Sequence, residues 1–331
     1  MAGSLRRDIV GLLVAHYARP HTEILTVPVR WAVVPFSQMV NAGFSRNSAG
    51  STLYSRQPGW FNTTGTYRSL QCNQNGCWFN GNNSVSHDSK WMNNSWDGCV
   101  EEQGTSNSIT STASTIPTNA FDMRYDTIPS SAPTQWTVAD PAQVGQSQYA
   151  CPKSMLELQQ LDATTFNNYF SFNSGFVANG GTYLDIGLLW AARLLSPTGN
   201  WASDNPATFN SFPISRYVIF MTDGFMDTGN TGYGAYAQEY SWRRVASDGN
   251  STTSNTNHTA RWLLTCAAIK NMTNTKIYTV SFGAASGLTP DMISCSSGGQ
   301  NEYAFAAANA SDLNDVFRDI GENIGSLRLT Q

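Results

Sequence analysis

Apolar residues recur at helical spacing near the start of the chain. Leu5, Ile9, Leu12, Leu13 and Tyr17 fall on one face, Ser4 is placed to cap the first turn and Pro20 follows the end. The pattern predicts a helix over 5–18. A nearly continuous apolar run at 29–36 has strand length, and Pro35 near its end marks the edge of the ladder. After a long interruption, helix and strand alternate. Helical periodicity covers 163–170 and, more strongly, 184–195, closed by Ser196-Pro197. Residues 217–221 are fully apolar, as inside a parallel sheet. A polar loop over 227–257 leads to a helix at 260–271, a strand at 277–282 and a short strand at 303–306. A closing helix at 312–324 carries Leu313, Val316, Phe317, Ile320 and Ile324 on one face. Such alternation implies a parallel-rich sheet with helices on both faces, a three-layer α/β fold.

The interruption, 45–150, has a different texture. Ser, Thr, Asn and Gly interleave with Trp60, Phe61, Trp78, Phe79, Trp91 and Trp96, and long periodic stretches vanish. Disordered segments are poor in aromatics, so this reads as an inserted, loop-rich region pinned by disulfides. The organisation is then 1–44 as the first part of the α/β domain, 45–150 as the insertion and 151–331 as the remainder.

Charged residues make up only 13% of the 331-residue chain and the net charge is −4, with no basic run, which argues against nucleic acid as a partner. No apolar run approaches the roughly 18 residues of a spanning helix. Arg6-Arg7 and the apolar run after them resemble a secretory signal, but Asp8 separates the two and His16 ends the run early, so an amphipathic helix fits better. The six cysteines form no CxxC pair and none lies near the four histidines, which disfavours zinc. An even count in a neutral-polar chain points to disulfides and an oxidising compartment, with the pairing left open.

Two positions carry candidate chemistry. Asp223, in Met221-Thr222-Asp223-Gly224, leaves a buried strand at its carboxyl end, where ligands of open α/β sheets bind. Gly224 permits a tight turn there, so Asp223 is either a ligand group or the cap of that turn. Thr182, after Gly180-Gly181, stands at a helix start and is either an N-cap or a second ligand. A hydroxyl and a carboxylate together are hard oxygen ligands suited to Mg²⁺ or Ca²⁺.

In this order the motifs resemble the von Willebrand factor A-type (vWA) fold with its metal-ion-dependent adhesion site. Gly181-Thr182 is similar to the family's Thr-bearing motif and Thr222-Asp223-Gly224 to its Asp-bearing one. The flanking text resembles the TadG-like proteins of Tad (Flp) pilus assembly: Val34-Pro35-Phe36-Ser37, Trp96-Asp97-Gly98-Cys99-Val100-Glu101, Asp185-Ile186-Gly187-Leu188-Leu189-Trp190 and Ile277-Tyr278-Thr279-Val280-Ser281-Phe282. The resemblance implies a non-enzymatic protein-binding module of the cell envelope, periplasmic or extracellular and membrane-anchored in full-length relatives. Its partner, a pilus or envelope component, would present an Asp or Glu to the metal. The family's first motif, Asp-x-Ser-x-Ser, is absent. Met1-Ala2-Gly3-Ser4 resembles the stretch at or just after it, so the expected sheet lacks its first strand, exposes two edges and is prone to insolubility. A start codon assigned inside a longer frame accounts for this.

Three disulfides are expected. Cys72 and Cys77 are close enough to close a small loop. Cys266 and Cys295 flank the strand at 277–282 and are placed to staple it, a pair that recurs in TadG-like sequences. Cys99 and Cys151 remain and would tie the insertion to the domain.

No G-x-S-x-G, P-loop or G-x-G-x-x-G occurs. His258 has no evident partner for a triad, and the acidic pairs Glu101-Glu102 and Asp122 with Asp126 read as solvated charge. An enzyme is therefore not expected. The alternative to metal-assisted protein binding is carbohydrate or cell-surface binding through the Trp-rich insertion. EDTA separates the two, abolishing only the first. With Thr182 and Asp223 alone, most of an octahedral Mg²⁺ shell would have to be water. Titration calorimetry on residues 1–331 is expected to give weak or no Mg²⁺ binding, and tight binding would overturn that expectation.

Overall fold

The computed structural model describes residues 12–18, 29–145, 147–283 and 287–326, without the side chains of 12–18, 325 and 326. Strands β1 (Leu12–Ala18), β2 (Arg30–Val33) and β3 (Asn41–Arg46) come first. Next are helix α1 (Leu53–Arg56), the short strand β4 (Phe61–Asn62), the hairpin β5 (Thr64–Asn73) and β6 (Gly76–Ser86), helix α2 (Ser89–Asn94), and strands β7 (Val100–Glu101) and β8 (Trp136–Val138). Then follow β9 (Ser154–Gln159), α3 (Ala163–Tyr169), α4 (Leu184–Leu195), β10 (Thr208–Phe209), β11 (Phe212–Thr222) and α5 (Glu239–Trp242). The chain closes with α6 (Ser251–Lys270), β12 (Thr275–Phe282), α7 (Pro290–Cys295), β13 (Ala304–Ala307) and α8 (Ala310–Ser326).

The main sheet runs β13-β12-β11-β1-β2-β9-β3, with β10 paired to β11. It is mixed: β11/β12, β12/β13 and β3/β9 are parallel, while β1 is antiparallel to both neighbours. Side chains alternate along β11. Val218 and Phe220 join the cluster built with α4 and α6; Tyr217 and Ile219 join the one under α8. Helices therefore cover both faces, as expected of an α/β fold.

The helix expected over 5–18 is corrected for its second half. Leu12–Ala18 is a strand, and residues 5–11 lie outside those described. A short apolar run suits a buried strand as well as a helix, and periodicity alone does not separate them. Long-range pairing decides: Leu13 stands between Ile219 and Val33, so the ladder between β2 and β11 is closed rather than left with two open edges. The expected vacancy in the sheet is thus filled, in the antiparallel sense.

The insertion is more regular than its composition suggests. It contains the three-stranded sheet β4-β8-β7 and the β5-β6 hairpin. All three expected disulfides are present: Cys72–Cys77 across the hairpin tip, Cys99–Cys151 and Cys266–Cys295.

Every residue of α4 is buried. One side faces the sheet, where a Cβ on Gly187 would come within 2.0 Å of the Phe36 ring, so only glycine fits. Another side meets the insertion. There Glu102, 3% exposed, accepts four hydrogen bonds: from Arg193 Nη1 at 2.9 Å and Nη2 at 2.7 Å, Trp190 Nε1 at 2.7 Å and Trp136 Nε1 at 3.3 Å. Arg261 on α6 binds the Asp122 carboxylate and the carbonyl of Ser106. Arg244 binds Glu101 at 3.1 Å and the carbonyls of Glu102 and Gln103. The reading of Glu101, Glu102 and Asp122 as solvated charge is corrected; of those four acids only Asp126 is exposed. Adjacent acids are affordable inside because three arginines, distant in sequence, converge on them.

Removing one partner of such a pair leaves the other charge buried and uncompensated. Glu102→Leu is expected to cost about 3–5 kcal/mol in urea unfolding, against less than about 0.5 kcal/mol for Asp126→Ala at the surface.

Candidate functional site

The strands β2, β11, β12 and β13 end on one side of the sheet, and three connections meet there: the turn after β2, the Gly-Gly turn before α4 and the loop after β11. Thr182 and Asp223 come from the last two. Asp227 knits these together, since its carbonyl accepts from Thr182 N at 2.7 Å and its N–H donates to Thr182 O at 3.0 Å. The Thr182 hydroxyl is 3.8 Å from where a Cβ on Gly224 would be, which sets it beside the residue following Asp223. The two sequence-predicted positions are therefore brought to one rim. Thr182 is 5% exposed and Asp223 half-buried.

Local chemistry explains the placement. Thr222 ends β11, and its hydroxyl accepts from Gly224 N at 3.2 Å, turning the chain so that Asp223 stays over the edge. Gly181 has no room for a side chain, because a Cβ would meet Asp227 O at 2.5 Å, and Gly180 holds a positive φ of 91°. The N-cap of α4 is Tyr183, with Thr182 one residue outside it.

Sequence reasoning missed Gln38. It is 6% exposed and ties the rim together. Its Oε1 accepts from Gly181 N at 3.2 Å, its Nε2 donates to Tyr233 O at 2.8 Å and Gln148 O at 3.3 Å, and its carbonyl accepts from Ala235 N at 2.8 Å. The available signal was its position just past the end of a predicted strand.

His258 does have a partner, which corrects the sequence reading. Its Nδ1 is 2.8 Å from Asp185 Oδ2, but the two side chains are 1% and 2% exposed. Packed against the rings of Tyr183 and Tyr236, the enclosed pair joins α6 to α4.

Among the described residues the one group of three metal-capable side chains is Asp97, Cys99 and Cys151, remote from Thr182 in role. Its two sulfurs are joined to each other, so neither is a thiolate ligand. Burial pushes the Asp97 carboxyl above the usual carboxylate range, partly offset by the Tyr149 hydroxyl that donates to it at 2.6 Å. The insertion's tryptophans mostly pack inward: Trp96 and Trp136 are buried, Trp60 and Trp91 half-buried, and Trp78 is 44% exposed.

No protein-family model, curated protein or solved structure matches the chain.

Gln38→Ala would orphan the Gly181 N–H and the Tyr233 carbonyl. It is expected to cost about 2–3 kcal/mol and to speed hydrogen exchange at Gly181, while exposed Asn179→Ala changes stability by less than about 0.5 kcal/mol.

Proposed function

We propose that the chain is a non-enzymatic protein-binding module, of the kind its resemblance to vWA domains of TadG-like proteins implies, which engages its partner at the Thr182–Asp223 rim. The convergence of these two residues, from separate loops, on the carboxyl edge of one sheet is the observation that carries the reading. The adhesion site is incomplete as a metal site, so the rim works chiefly through its own groups. Phe225, directly after Asp223-Gly224, is 62% exposed and supplies an apolar anchor beside the carboxylate. The buried His258–Asp185 pair supports the non-enzymatic reading, since a general base must reach its substrate. The disulfides fit an oxidising location, and a periplasmic or extracellular place at the cell envelope is part of the same proposal. Carbohydrate binding through the Trp-rich insertion would rest on Trp78, the most exposed of its tryptophans.

The test is binding of purified envelope and pilus proteins to the immobilised chain, wild type against Asp223→Ala and Phe225→Ala. A loss of about tenfold or more in affinity for both variants is expected if the rim is the contact. Binding by both variants as tight as that of the wild type would refute it.

A further inference from the structure

Beside Thr182 the rim opens into a trough of about 710 Å³, within the range of small-ligand sites. Its walls include the carboxylate of Asp227, the ring of Tyr149 and the amides of Asn230 and Asn255. Of the lining side chains five are carboxamides, three are aliphatic hydroxyls, one is a carboxylate and one is an aromatic ring; no lysine, arginine or histidine lines the trough. That inventory selects among ligands. An anion, phosphate included, would meet Asp227 with no cation to balance it. An apolar ligand would strip water from amides without replacing their hydrogen bonds. An extended peptide would need a free strand edge, yet the wall segments at Asp227 and Tyr233 are already bridged to Thr182 and Tyr149. A neutral polyhydroxylated molecule matches: each hydroxyl donates and accepts, as amide and carboxylate groups require.

The polar groups are also held ready. Asn255 Oδ1 accepts from the backbone N–H of Thr228 at 2.9 Å and from its hydroxyl at 2.7 Å, which orients the amide and leaves Nδ2 with no bond among the described residues. Asn230 Nδ2 donates to Gly249 O at 3.2 Å, leaving its carbonyl oxygen to accept. Tyr149 is fixed twice, by its hydroxyl on Asp97 and by stacking on Tyr233 with ring centroids 5.6 Å apart. The Asp227 carboxylate makes no side-chain hydrogen bond among the described residues, although its backbone is pinned to Thr182. Pre-set donors and acceptors reduce the ordering cost of binding.

We propose that this trough binds a neutral saccharide, with Asp227, Asn230 and Asn255 hydrogen-bonding its hydroxyls and Tyr149 giving a ring surface. The site uses neither Thr182 nor Asp223 side chains, so it stands apart from the protein-binding reading and from any metal.

The test uses the full chain in EDTA with maltotetraose, cellotetraose and chitotetraose, and with sialylated and phosphorylated oligosaccharides, followed by saturation-transfer NMR and calorimetry. Binding of at least one neutral probe is expected, weakened about tenfold by Asp227→Ala and by Asn255→Leu. Asp227→Ala removes a side chain without internal bonds, so it decides the matter even if Asn255→Leu, which frees Thr228, fails to fold. The proposal is overturned by the absence of any neutral binder at roughly 10 mM probe, by affinity unchanged in Asp227→Ala, or by preference for the anionic probes.

Discussion

One buried ion pair, Glu102 with Arg193, fixes how the two halves of this chain meet. Glu102 belongs to the insertion and Arg193 to the last turn of α4, and both side chains are almost fully enclosed. Desolvating two charges costs several kcal/mol per ion, and their attraction offsets this only with good geometry and satisfied lone pairs. Here the carboxylate accepts a bidentate guanidinium and two indole N–H groups, and the guanidinium also lies against the Trp136 and Trp190 rings at 5.1 and 4.6 Å. Such a pair adds little net stability over an apolar substitute, but a displaced insertion would leave the charge stranded. Its contribution is therefore to register.

That register extends to the rim. The same α4 that receives Glu102 at its C-terminal end begins two residues after Thr182, so the insertion orients the helix whose start lies beside the candidate site. Arg244 and Arg261 repeat the arrangement from the loop after α5 and from α6, gripping Glu101 and Asp122. Cys99–Cys151 adds a covalent tie close to Tyr149, on the wall of the trough. Loops at the edge of a sheet are ordinarily its least constrained parts. These are held from behind by buried charge and from the side by Gln38.

What the sequence revealed follows the range of the forces involved. Strands β11 and β12 and helices α4 and α8 were legible because apolar periodicity is a local signal, and strand polarity placed Asp223 at the carboxyl edge of the sheet. α6 begins at Ser251, well before the expected 260, because Ser, Thr and Asn in its first turns read as loop while Asn250 in fact caps the helix. β3 and β9 were missed: β3 is short and carries Gly43, and β9 carries the buried Glu157, whose burial depends on Trp201, Ser45 and Arg56 arriving from elsewhere. Glu101, Glu102 and Asp122 were misread for the same reason. A run of acids announces solvent unless the cations that neutralise it are nearby in sequence, and Arg193, Arg244 and Arg261 are not.

The direction of β1 has the last consequence for the rim. It is antiparallel to β2 and β11, so its Ala18 end lies opposite Ile214, at the far side of the sheet from Asp223. A parallel strand in that central place would deliver the residues following it to the same edge as Thr182 and Asp223, where their hydroxyls could complete an oxygen shell. Among the described residues the rim is built from the turn after β2, the start of α4 and the loop after β11. Those segments carry amides, backbone carbonyls, single carboxylates and an exposed phenylalanine. The chemistry of such groups suits hydrogen bonding to hydroxyls and apolar contact, since amides and carboxylates donate to or accept from groups that do both.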